Sequence, residues 1–224
     1  MKKYLEIIRQ SKLFAGVDAP EAEAMLRCLG ARSVSYGKGA YILQAGEHAD
    51  AVGILLAGSA CIVHESFWGN RNIVAKLCPG QLFAEAFACT PGAILNMSVV
   101  TETPSVALLL DVRRVLATCS SACTFHTRVI RNLLADIAGK NLYFYEKLTH
   151  MGQRTTRQKL LSYLSAQALR QGSAVFDIPY NRQELADYLA VDRSAMSNEL
   201  CKLRDEGILA FRNNHFELLR HALF

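Results

Sequence analysis

Apolar and polar positions divide the chain into three stretches of different period. In the first thirty residues the apolar side chains fall at helical spacing. The opening MKKYLEIIRQ reads as an amphipathic helix, since Glu6 and Arg9 interrupt its apolar positions. From residue 32 to 111 the pattern changes. Glycines recur at Gly37, Gly46, Gly58, Gly69 and Gly80, separated by nine to twelve residues. Between them lie short runs of β-formers: Tyr41 to Leu43, Val52 to Leu56, Cys61 to Val63 and Ile73 to Leu77, followed by Ser98 to Thr101 and Val106 to Leu110. Strands bounded by turn signals at this spacing predict a β-sandwich or barrel. One segment breaks the pattern. Pro79-Gly80-Gln81-Leu82-Phe83 leads into Ala84 to Cys89, whose alanines and Glu85 predict a short helix, ended by Pro91-Gly92. That turn reads either as an anion site at a helix start or as a plain connection.

Helical period returns after Asp111. Ile130, Leu134, Ile137, Asn141, Phe144 and Leu148 are separated by alternating steps of four and three. This is an a/d seam over almost three heptads. It suits a helix packed on its own domain, or a parallel two-stranded coil between subunits in which Asn141 sets the register. A second helix is expected from Thr156 to Gln171, with Leu160, Leu161, Leu164 and Leu169 apolar, closed by Gly172-Ser173. Ala174 to Pro179 reads as extended, because the residue before a proline avoids the helical region.

The most specific pattern lies between Asn181 and Glu206. Asn181 is a good N-cap, and Glu184 three residues on completes a capping box. Leu185, Ala186 and Leu189 give an apolar face. Ala190-Val191-Asp192 forms a three-residue connection, and Asp192 caps a second helix with Met196, Leu200 and Leu203 on its inner face. Gly207 stands where a C-terminal glycine belongs. Ile208 to Phe211 and Phe216 to Leu219 then predict a hairpin across Asn213-Asn214. This is a winged helix-turn-helix. Arg193, Ser194, Ser197 and Asn198 fall on the outward N-terminal face of the second helix, where base edges are read. Arg182 and Lys202 fall where phosphate contacts form.

Composition narrows the class. Half of the 224 residues are apolar and a fifth are charged, so a packed core is available. The longest nearly apolar stretch, Ala51 to Val63, is too short to span a bilayer and no signal peptide is read at the start, so a cytoplasmic protein is expected. The net charge of +5 permits nucleic-acid binding without demanding it, and it is spread, +3 over residues 1–150 and +2 over residues 151–224. The seven cysteines are odd in number and form no CxxC pair, which argues against a disulfide framework. Cys119, Cys123 and His126 share one helical face. They suit zinc, but without an evident fourth ligand the packing reading is preferred: two small core thiols and a locally bonded histidine. No metal site is therefore expected and no cofactor is named. No nucleophile–base pair, paired carboxylate or phosphate loop stands out, so no enzyme is expected.

Nearly the whole chain resembles the CRP/FNR family of bacterial transcription regulators. The resemblance is carried by Gly37-Lys38-Gly39, Gly46-Glu47, Leu56-Ala57-Gly58, Pro79 to Phe83, Asn181 to Ala186, and Asp192 to Ser197. It implies an α+β fold: an N-terminal cyclic-nucleotide-binding-type β jelly roll over residues 1–120, a long dimerisation helix over 121–152, and a C-terminal winged helix-turn-helix over 153–224. It also implies a homodimer on a near-palindromic DNA operator, with RNA polymerase as a candidate partner and no membrane. The family's effector positions fall on Phe83, Ala84, Glu85, Asn96 and Met97. Cyclic-AMP-binding members carry Gly-Glu and an Arg-Ser or Arg-Thr at these places. Here the glycine is Ala84, and Asn96 and Met97 replace the phosphate-binding pair, so a small-molecule or redox signal other than cyclic AMP is expected. Only Cys28 lies near the N-terminus, which argues against an iron–sulfur sensor. Many members read guanine with an arginine at the position of Asn198. The competing reading is a dimeric sensor of the same fold that acts through protein contacts without DNA.

Overall fold

The computed structural model describes residues 2–66, 68, 71–116 and 124–219. The chain divides into two compact units, Met1–Gly139 and Lys140–Phe224.

The first unit opens with helices α1 (Leu5–Gln10) and α2 (Ala19–Cys28). Asp18 and Glu21 form a capping box at the start of α2, with Pro20 in its first turn, where the missing N–H costs nothing. Eight strands follow: β1 (Arg32–Tyr36), β2 (Tyr41–Leu43), β3 (Ala51–Ala57), β4 (Ala60–Glu65), β5 (Arg71–Leu77), β6 (Leu82–Phe83), β7 (Ser98–Thr101) and β8 (Ser105–Asp111). They form two antiparallel sheets, ordered β1-β8-β3-β6 and β2-β7-β4-β5. Every run of β-formers read from the sequence is a strand. β1 was not among them, because Arg-Ser-Val-Ser-Tyr carries no apolar run; long-range pairing with β8 makes it a strand.

The apolar run of β3 follows from burial on both faces. Val52, Ile54 and Leu56 pack with Leu108 and Leu110 against Ile8, Leu13, Phe14, Met25 and Leu26 of the helical layer. Leu55, on the opposite face, joins Ile42, Ala60, Leu77, Phe83, Val99 and Ala107 between the sheets. Gly53 is needed here: a Cβ at this position would lie 2.1 Å from the Phe83 ring. Short helices α3 (Glu85–Ala88) and α4 (Val112–Leu116) flank the sheets.

The long helix α5 (Thr124–Met151) begins in this unit. Val129 and Leu133 enter the helical-layer core. Asn132 Nδ2 donates to the carbonyls of Leu13 and Ala15, each at 3.0 Å, and Lys12 Nζ lies 3.1 Å from the buried carboxylate of Asp136. Of the seam positions, Leu134, Asn141, Phe144 and Leu148 are exposed. Ile130 and Ile137 are half-buried, and Ile137 packs on its own domain. Tyr145 is exposed beside the seam.

The second unit takes the end of α5 with helices α6 (Thr156–Gln171), α7 (Arg182–Leu189) and α8 (Arg193–Asp205) and strands β9 (Val175–Asp177), β10 (Leu209–Arg212) and β11 (His215–Leu218). Its three-stranded sheet is ordered β10-β11-β9. The buried face of α6 is Leu160, Tyr163, Leu164 and Gln167. Leu169, also apolar, is 76% exposed. Nine residues at 100° each set it opposite Leu160. His150 of α5 is buried edge-on to Tyr163, and its Nδ1 shares a 2.8 Å hydrogen bond with Ser162 Oγ. Arg170 and Glu146 pair at 2.5 Å beside it.

Candidate nucleic-acid interface

Local chemistry builds the interface from its caps. Asn181 Oδ1 accepts from the Glu184 amide at 2.9 Å, and Glu184 Oε2 accepts from the Asn181 amide at 2.7 Å, so α7 starts where the sequence places it. The helix ends at Ala190, which adopts a left-handed conformation with φ +50°. Lys159 of α6 reaches the carbonyls of Leu189 and Ala190 at 3.3 and 3.4 Å, which satisfies helix-end acceptors and adds charge suited to the negative end of the dipole. Asp192 then caps α8, accepting from the Ala195 amide at 2.8 Å. Its carboxyl sits below the ordinary carboxylate range because the Ser194 hydroxyl and the Ala195 amide both donate to the charged form.

The inner faces of the two helices lock together through Leu185, Ala186, Leu189, Met196, Leu200 and Leu203, all buried as the sequence pattern requires. Arg157 of α6 holds α8 from behind, bonding Glu206 at 2.9 and 2.5 Å and Glu199 at 3.3 Å. What remains outward on α8 is the predicted reading face. Arg193, Ser194 and Asn198 are exposed and Ser197 is half-exposed. Their availability differs. Ser194 Oγ donates to Asp192 at 2.5 Å and Ser197 Oγ donates to the Arg193 carbonyl at 2.9 Å. Among the described residues the side chains of Arg193 and Asn198 make no hydrogen bond or ion pair. Lys202 is exposed and lies 3.5 Å from Glu199. Cys201, seven residues after Ser194, is exposed on the same stripe. The sequence reading passed over it, although the spacing of 194, 197, 198 and 201 places it there.

The wing is present. β10 and β11 pair in register from Leu209↔Leu218 to Arg212↔His215, and Asn213 at the turn has φ +53°. Arg182 was expected to point outward to phosphate. Its guanidinium is folded onto the wing instead. Nη2 donates to the Asn213 carbonyl at 2.8 Å, and Cζ lies 4.9 and 5.1 Å from the ring centroids of Phe211 and Phe216.

The effector positions of the first unit surround a strained turn. Phe83 is 1% exposed and belongs to the core between the sheets. Ala84 has φ +63°, a conformation that favours glycine. Glu85 is 6% exposed at the start of α3. Asn96 is exposed and Met97 half-buried, immediately before β7. A separate cavity of about 440 Å³ is lined by His48, Asp50, Phe87, Cys89, Arg113 and Leu116 among others, and takes in none of these five positions. Among the described residues no group of three His, Cys, Asp or Glu side chains is placed to hold a metal. Cys119 and Cys123 lie outside the described residues. His126 is buried, with Nε2 3.0 Å from the Val115 carbonyl.

Two family models match the chain: a cyclic nucleotide-binding domain over residues 33–122 and a Crp-like helix-turn-helix domain over residues 158–223. The chain belongs to the CRP/FNR family. A curated relative, the transcriptional activator protein FnrL of Cereibacter sphaeroides, is 25% identical over 187 residues, which cover 79% of this chain and 71% of the relative. Two solved structures share the fold. The catabolite activator protein of Thermus thermophilus matches with a TM-score of 0.50 at 22% identity, covering 93% of each chain. DNR from Pseudomonas aeruginosa matches with a TM-score of 0.50 at 20% identity, covering 99% of this chain and 96% of that one. This CRP/FNR member is thus a transcription regulator with a helix-turn-helix DNA-binding domain. No helix among its described residues is long and apolar enough to cross a membrane.

Proposed function

We propose that this regulator works as a homodimer on a near-palindromic operator, reading bases with Arg193, Ser194, Ser197 and Asn198, and that its β domain takes a signal other than cyclic AMP. The single observation that carries the reading is that Arg193 and Asn198 stand exposed and unengaged on a capped, fully packed α8. Arginine suits guanine and asparagine suits adenine, so these two outward side chains are chemically able to read both bases. Lys202 supplies a phosphate contact beside them. The exposed α5 stripe of Leu134, Asn141, Tyr145 and Leu148 supports the dimer: with Leu134 at 66% and Leu148 at 63%, a second copy of the stripe is the natural cover.

Gel-shift titration against a selected operator tests the reading face. Asn198→Ala is expected to weaken binding by about 1–3 kcal/mol at one base pair per half-site. Asn198→Arg is expected to move the preference there to guanine. Unchanged affinity and base preference in both variants would remove Asn198 from the interface.

The signal is supported by what stands at the effector positions. Asn96 and Met97 offer no cation where cyclic-AMP-binding members place an arginine, and a buried cyclic phosphate without its charge-assisted partner loses affinity steeply. Calorimetric titration with cyclic AMP is expected to show no saturable binding in the micromolar range. A micromolar dissociation constant would refute this part of the proposal.

A further inference from the structure

Arg182 has a role that its sequence position did not suggest. It is the first residue of α7, where an outward arginine would meet a phosphate. The structure turns it the other way. Phe211 on β10 and Phe216 on β11 are directly paired, with ring centroids 5.9 Å apart. Phe216 also stacks on Phe176 of β9 at 6.3 Å, so three aromatic rings run across the wing sheet. The guanidinium of Arg182 closes the end of this ladder, within cation–π range of two of the rings. Nη2 is spent on the Asn213 carbonyl. Nη1 is sealed from solvent and has no hydrogen-bond partner among the described residues, so an approaching phosphate does not reach it. The next carbonyl of the turn, that of Asn214, accepts from the Ile178 amide at 2.9 Å. Two consecutive wing carbonyls are thereby tied to the segment that leads into α7 and to its first residue.

We infer that Arg182 is a positioning residue: it fixes the wing turn at Asn213 and Asn214 relative to the reading helix, and is not itself a phosphate ligand. The planar guanidinium is required, because it stacks on the rings while aiming one N–H at a carbonyl. A lysine keeps the charge but, as a point charge on a flexible stem, cannot stack flat on the rings while holding an N–H on the carbonyl. The inference rests on the DNA-binding reading only for its consequence, since the wing's position exists without DNA.

The test compares full-length Arg182→Lys and Arg182→Gln with the parent, after circular dichroism has shown that each folds. Amide hydrogen exchange is measured first, without DNA. Both variants are expected to speed exchange of the Ile178, Arg212 and His215 amides about tenfold, since these report local opening of the wing. Operator titration over a salt series follows. Lysine and glutamine variants are expected to lose affinity alike, about tenfold, while base preference under α8 is kept. If Arg182 were a phosphate ligand, Arg182→Lys would keep parental affinity, and Arg182→Gln would lose about 0.9 of the salt slope with wing exchange unchanged. That outcome overturns the inference. Phe211→Leu provides a variant that leaves the guanidinium in place. Removing one of the two rings under the guanidinium is expected to loosen the same three amides, and unchanged exchange there would also overturn it. Failure of the parent to bind any operator would count against the DNA reading alone.

Discussion

At the scale of single residues, two alanines carry conformations that belong to glycine. Ala84 has φ +63° at the effector turn and Ala190 has φ +50° at the turn between α7 and α8. A left-handed alanine costs about 1–2 kcal/mol, part of which glycine returns through its greater freedom in the unfolded chain. Ala84→Gly and Ala190→Gly are each expected to stabilise their own unit by about 0.5–1 kcal/mol, read as a higher urea midpoint with unchanged slope. A lower midpoint in either variant would show that the methyl group makes a contact worth more than the strain. The alanines were visible in the sequence, and Ala84 already stood out as a departure from the family's glycine. Their backbone angles were not visible, because alanine is an ordinary helix former and nothing local announces a left-handed turn. The packing of Arg182 on the wing was hidden for a related reason. Its partner Asn213 is thirty-one residues away, and only the paired wing brings the two together.

At the scale of elements, periodicity located the helices and most strands, and failed where tertiary contact decides. The caps at Asn181 and Asp192 were legible to the residue, because a capping side chain bonds within three positions of itself. β1 was invisible, since its strand character comes from pairing with β8, more than sixty residues away in sequence. The junction of α5 and α6 was equally hidden. His150 lies there among Tyr163, Tyr188, Ser162, Glu146 and Arg170. Burial pushes its pKa below the ordinary imidazole value; the Arg170 charge works in the same direction and Glu146 against it. The unfolded chain therefore takes up the proton first as the pH falls. Stability contributed by neutral His150 is complete above about pH 6.5 and declines as the pH drops below it, through the folded-state value. His150→Gln is expected to flatten that decline. Thermal midpoints of both proteins between pH 8 and pH 5 check this, and parallel curves would show that His150 is not the titrating group.

At the scale of the whole molecule, a β jelly roll and a winged helix-turn-helix unit share one long helix, and the chain is a CRP/FNR-type regulator. The reading unit was more legible than the sensing unit. Its candidate residues lie mostly on one helix, where spacing alone assigns the faces, and four of the predicted DNA-facing residues are on one side of α8. The sensing unit draws its candidate residues from β6, α3 and the approach to β7, and Phe83 and Glu85 proved to be buried. A dimer reading two half-sites must select an inverted repeat whose half-sites are centred about one helical turn, roughly 34–36 Å, apart. Selection of bound sequences from a random DNA pool by the full-length protein measures this directly. An enriched inverted repeat with that spacing, altered in Asn198→Arg only at the base pairs facing residue 198, is the expected result. No enrichment over the starting pool, with no DNA retained even at low salt, would contradict the account and favour a sensor that acts through protein contacts.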